Sequence, residues 1–182
     1  MTAWKTLAPL MAAFALALLP LPSVACGIVY GSDWAFVAQS PKGWTEACGD
    51  KAMDKTALTL WPSSQTPDHA DALMYVTVSG KGRQSLQEFA EQEIARFKDS
   101  SKTSILSKLS TTSSEIGAAR RLLHIADAPG GRDEFVAYIE GPTSYFIVVL
   151  SADSPTLGHQ YRPAFDEFVA NFYPMERTHG GG

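Results

Sequence analysis

The chain has 182 residues, 45% hydrophobic and 19% charged, with a formal net charge of −4. That is ordinary globular composition with enough apolar residues for a core, so general disorder is excluded. An acidic balance argues against a nucleic-acid partner, which needs a basic stripe to neutralise phosphates. Protein and small-molecule partners stay open.

Lys5 is the only charge in the first 25 residues, and an apolar run over residues 7–19 is followed by Pro20-Leu21-Pro22-Ser23-Val24-Ala25. A positive start, a short apolar stretch and small residues at Ser23 and Ala25 predict a secretory signal peptide over 1–25, cut after Ala25. A membrane span would need about 20 apolar residues. The remaining chain, 26–182, has 14 basic and 19 acidic residues, a net charge of −5. This points to an exported protein, periplasmic or secreted.

Both cysteines follow the cleavage point. An even count in an oxidising compartment predicts a disulfide between Cys26 and Cys48, stabilising the fold by roughly 3 kcal/mol and pinning the mature N-terminus to the body. The competing reading takes Ser23-Val24-Ala25-Cys26 as a lipoprotein box with Cys26 acylated. Such a box usually carries Leu where this chain has Ser23, and it would leave Cys48 unpaired.

Along the chain, residues 34–40 read as a first strand stopped by the turn Pro41-Lys42-Gly43-Trp44. Residues 57–61 alternate and read as a second strand, 63–72 as a polar loop, and 74–79 as a third strand. Ser85 and Glu88 form a capping box ahead of a helix. Its apolar stripe is Leu86, Phe89, Ala90, Ile94 and Phe97. A short strand is expected around Ile105, Leu106 and Leu109 and another over 118–126. The stretch 134–151 then reads as two β-branched and aromatic runs separated by Gly141-Pro142, a central hairpin. Tyr145, Ile147 and Val149 share one face while Phe146, Val148 and Leu150 share the other, so both faces need cover. A last helix over 159–172 follows, with Phe165, Phe168, Val169 and Phe172 as its stripe and Pro163 tolerable only in its first turn. Tyr173-Pro174 ends it, and the tail 175–182 is expected to be disordered. The order predicts one α+β domain over 26–174: an antiparallel sheet with helices packed on its faces, an α/β/α sandwich.

The segment Phe36-Val-Ala-Gln-Ser-Pro-Lys-Gly-Trp44 resembles the strand-to-turn opening of the PsbP-like superfamily, named after an extrinsic subunit of photosystem II. The later order of strand, Ser-capped helix, Ser-rich strand, hairpin and closing helix is similar too, so the resemblance spans about residues 34–173. It implies an accessory role, since members are mostly assembly factors, stabilisers of complexes, adaptors and small-GTPase binders. The metal and cofactor sites of the photosynthetic members have no matching motif here, and no cofactor is expected.

Chemistry-bearing residues are few. Asp68, His69 and Asp71 form an oxygen and nitrogen cluster, a metal candidate that alone supplies fewer converging ligands than a site needs. His124 sits in a strand, His159 ahead of a helix and His179 in the tail. There is no Gly-x-Ser-x-Gly, His-Glu-x-x-His or Cys-x-x-Cys. Lys81, Gly82 and Arg83 ahead of the Ser85 cap are an anion-binding candidate, because a helix N-terminus and two cations suit a phosphate or carboxylate. Trp34, Trp44 and Trp61 lie near strand ends, as core or as a partner's anchor. The reading is an exported, non-catalytic accessory or binding protein that supports an envelope or extracellular protein complex, with another protein as its partner. The alternatives are a small hydrolase or metal-dependent enzyme using the Asp68, His69 and Asp71 loop, and a small-ligand carrier with its pocket between sheet and helices.

Overall fold

The computed structural model describes residues 26–101, 110–113, 119–128 and 130–175. The leader expected over 1–25, the strand expected around Ile105 to Leu109, and His179 with the rest of 176–182 lie outside the described residues.

The chain runs β1 (Ile28–Tyr30), β2 (Ala35–Val37), β3 (Trp44–Cys48), β4 (Leu58–Pro62), β5 (Ala72–Gly80), α1 (Leu86–Ser101), β6 (Ser110–Ser113), β7 (Ala119–Ala128), β8 (Arg132–Glu140), β9 (Ser144–Ala152), α2 (Pro155–Ala170) and β10 (Tyr173–Met175). Seven strands form one antiparallel sheet in the order β3-β4-β5-β9-β8-β7-β6. The expected hairpin is its centre: β9 pairs along its whole length with β8 on one side and β5 on the other. With β7 it also forms the expected meander of three consecutive strands.

Both faces of the hairpin are covered, as its two-sided apolar pattern demands. On one face, Phe146, Val148 and Leu150 join Phe135, Ala137 and Ile139 in a core closed by Phe165, Phe168 and Val169 of α2. On the other, Tyr145 and Val149 join Leu123, Ile125, Val136 and Tyr138 beneath Leu86, Phe89 and Ala90 of α1. The architecture is the expected α+β, α/β/α sandwich. Among the described residues, α1 packs over β7 and β8 and reaches β9 through Phe89, which stacks on Tyr145 at 4.5 Å. Trp61, Leu73, Tyr75 and Thr77 on the same face of β4 and β5 stay half-buried.

Helix α1 begins at the capping box: Glu88 Oε2 accepts from the Ser85 N–H at 2.7 Å, and Ser85 Oγ from the Glu88 N–H at 3.3 Å. Helix α2 begins four residues before the expected start. Ser154 caps it by accepting from the Leu157 N–H, and Pro155 fills the first turn, where its missing N–H costs nothing. Pro163 consequently lies in the helix interior rather than the first turn, on the exposed side. Trp44 also departs from expectation. It opens β3 rather than ending a turn, pairing with Pro62 in a register that runs to Cys48 opposite Leu58. The mixed polarity of Thr45, Glu46 and Ala47 hides this edge strand from an alternation test. Finally, the expected first strand shrinks to β2 and leaves the main sheet, forming a second, three-stranded sheet in the order β1-β2-β10.

Candidate functional site

Strands β1, β2 and β10 bring the two ends of the domain together. The disulfide joins Cys26 to Cys48 with the Cα atoms 6.4 Å apart, tying the start of β1 to the end of β3. The Glu46 carboxylate accepts from the Cys26 N–H and from the Ser40 hydroxyl. Two residues on, alternation along three short strands sorts the side chains into an inward and an outward set. Val29, Phe36 and Pro174 are register partners on the inner side. Phe36 is fully buried, stacked on Phe172 at 4.6 Å and edge-on to Phe146 at 5.5 Å. The same registers line up Ile28, Val37 and Tyr173 in one outward row and Tyr30, Ala35 and Met175 in the next.

Every residue of those two rows is apolar or aromatic. Tyr30 is 68% exposed, Ile28 55% and Tyr173 45%, while Val37 and Met175 are half-buried and Ala35 is buried. Exposed apolar residues scattered singly are ordinary, whereas Ile28, Tyr30 and Tyr173 are held together on one sheet face. The turn between β8 and β9 buttresses it from behind. Thr143 Oγ1 donates to the Asp33 carbonyl at 2.7 Å, and a side chain on Gly141 would collide with Phe146 and crowd Pro174.

The sequence-marked residues fall elsewhere. Asp68 and His69 are exposed on a 3-10 turn, Pro67–His69. Asp71 turns to the body, where Oδ1 accepts from the Tyr161 hydroxyl at 3.1 Å. Burial and that hydrogen bond raise the Tyr161 pKa. Among the described residues no group of three or more His, Cys, Asp or Glu side chains converges to hold a metal ion. At the anion candidate, Lys81 Nζ pairs with Glu140 at 2.6 Å and donates to the Gly141 carbonyl at 3.3 Å, while Gly82 and Arg83 are exposed. The Ser85 N–H is taken by the chain's own Glu88, whose carboxyl is held below its ordinary value by the Ser85 backbone bond. Trp44 is core, edge-on to Tyr161 at 5.4 Å, and Trp34 stacks on Phe36 at 6.0 Å.

No protein-family model matches the sequence, and no curated protein matches it. Solved structures do. The chain is similar to the solution structure of the cyanobacterial PsbP protein CyanoP from Synechocystis, with a TM-score of 0.53 and 12% identity over 87% of this chain and 99% of that one. It is also similar to the crystal structure of LpqN from Mycobacterium tuberculosis, described as involved in cell envelope biogenesis. There the TM-score is 0.55 and the identity 13%, over 80% of this chain and 85% of that one. The fold is PsbP-like. Identities this low speak of fold alone.

In this PsbP-like chain, one polar pair escaped the sequence reading. His124 Nε2 lies 2.8 Å from Asp133 Oδ1, and its ring stacks on Phe135 at 4.2 Å with His159 at 6.0 Å. Asp133 is completely buried against the first turn of α2, the positive end of the helix dipole. His124 and Phe135 are register partners and Asp133 lies two residues before Phe135, so the pair forms only once β7 and β8 are aligned. The helix-terminal carboxylate orients the imidazole, while Arg162 covers Phe135 at 4.6 Å. The arrangement anchors α2 to the sheet. Among the described residues, no helix is long and apolar enough to cross a membrane.

Proposed function

We propose that the protein is an exported, non-catalytic accessory protein that docks another protein of the cell envelope or extracellular space through the outward face of β1, β2 and β10. The observation that carries this reading is the pair of apolar rows on that face, Ile28-Val37-Tyr173 and Tyr30-Ala35-Met175, built on a sheet whose inner side is core. Aromatic and aliphatic anchors on a rigid support suit a protein partner, because they bury large area at little cost in conformational freedom.

Export is supported by the leader-like segment and by the Cys26–Cys48 bond, which belongs to oxidising compartments. That bond uses the thiol a lipid anchor would need. Cleavage after Ala25 would also make the Cys26 nitrogen an ammonium beside the Glu46 carboxylate, strengthening the same hydrogen bond. The PsbP-like fold and the description of LpqN agree with an accessory role in an envelope. Mild cross-linking of the native envelope fraction, purification of the mature protein and mass spectrometry test the reading. A stoichiometric protein partner recovered with the wild type and lost with Ile28→Asp plus Tyr173→Asp is the expected result. A partner retained by that double variant would move the docking surface elsewhere, and a lone monomer in both would sink the proposal.

A further inference from the structure

Between α1 and the sheet lies a cavity of about 400 Å³. This is within the range of small-molecule sites, roughly 300–1,000 Å³. Its walls are mostly apolar: Ile94 and Phe97 come from α1, Ile147 and Val149 from β9. The polar lining is Glu134, the two phenols Tyr75 and Tyr138, and the Glu93–Arg96 pair on α1.

Glu134 Oε1 accepts from Ser151 Oγ at 2.9 Å. The neighbouring cations make their ion pairs with other groups. Arg132 bonds to the Ser151 carbonyl and the Asp153 carboxylate, each at 3.1 Å, and Arg96 pairs with Glu93 at 2.6 Å. Among the described residues, no ion pair reaches Glu134. A largely buried carboxylate that no cation pairs with directly is costly, Arg132 acting on it only through its charge, and a ligand that pairs with it recovers that cost. The apolar walls then determine what the cation must carry with it.

We infer that this cavity binds a small amphipathic cation, its apolar body lying against Ile94, Phe97, Ile147 and Val149 and its primary amine at the Glu134 carboxylate. The site is separate from the outward face of β1, β2 and β10, so it stands whether or not a protein docks there. A carboxylate ligand would meet repulsion at Glu134, and a neutral alcohol would fill the same volume without the charge-assisted bond.

Isothermal titration of the mature protein with decylamine, decanol and decanoate tests this. Decylamine is expected to bind about tenfold or more tighter than the other two, the worth of a hydrogen bond to a charged group. Glu134→Gln should bring decylamine to within about twofold of decanol while leaving decanol unchanged, and Ile147→Trp should weaken every probe by filling the cavity. Should Glu134→Gln fail to fold, the ¹³C resonance of the wild-type Glu134 carboxyl decides, moving with decylamine and not with decanol. Equal affinities for the three probes, binding of none of them, amine affinity unchanged in Glu134→Gln, or a still carboxyl resonance would each overturn the inference.

Discussion

Burial holds the Glu134 carboxyl above its ordinary value of 4.5, with the Asp133 charge adding to the rise and the Ser151 hydrogen bond and Arg132 opposing it. A carboxyl whose pKa is raised on folding stabilises the protein while it keeps its proton, and that contribution is lost as pH rises through the folded value. Glu134→Gln is therefore expected to raise the melting temperature at pH 7, with the gain vanishing below about pH 4.5, where both chain states are protonated. Thermal melts across that range check it, and an equal or lower melting temperature at pH 7 would contradict it. Gly158 is the opposite case. A Cβ there would sit 2.1 Å from Asp133 Oδ2, so Gly158→Ala must push α2 off the carboxylate. Overpacking of this kind costs about 1–3 kcal/mol, seen as a lower denaturation midpoint. Neither role was legible in the sequence. Glu134 opens the β-branched run of β8, and the cavity it faces also needs α1 and β5, which lie far from it along the chain. Asp133 and His124 find each other only through the β7–β8 register.

At the scale of elements, legibility followed the strength of local signals. The capping box of Ser85 and Glu88 located α1, and the unbroken β-branched and aromatic run from Tyr145 to Leu150 located the central strand with both of its faces. Strands β1 and β10 gave no such signal, being three residues each and paired through β2 from opposite ends of the domain. Three residues cannot establish a period. The outward rows are thus a property of tertiary register. Pro163 points to a helix start near 159, whereas Ser154 and Pro155 already supply the cap and first turn. The disulfide acts at this same scale, because it holds β1 to β3. Replacing both Cys26 and Cys48 by Ser is expected to cost roughly 3 kcal/mol. It should also raise amide exchange at Val29 and Tyr30 well before the β8–β9 hairpin responds. Unaltered exchange in β1 would show that the small sheet holds without its staple.

The whole molecule separates its tasks in space. The central hairpin and the two helices make a body of PsbP-like fold, the α1 face keeps a lined cavity, and the small sheet, which joins β1 to β10 through β2, presents an apolar surface. On the proposed reading a partner binds that surface, and central aromatic anchors carry most of the energy of such interfaces. Once the partner is in hand, Tyr173→Ala should weaken the complex by about 2 kcal/mol or more, a loss of roughly 30-fold in affinity, with the melting temperature of the free protein little changed. The most direct measurement of the central claim places a photoreactive residue at position 28, on the small sheet, or at position 160, exposed on α2, and irradiates the exported protein in its native envelope. The account predicts one heterologous protein adduct from position 28 and none from position 160. Adducts from 160 alone, from both positions equally, or containing only two copies of this chain would contradict it.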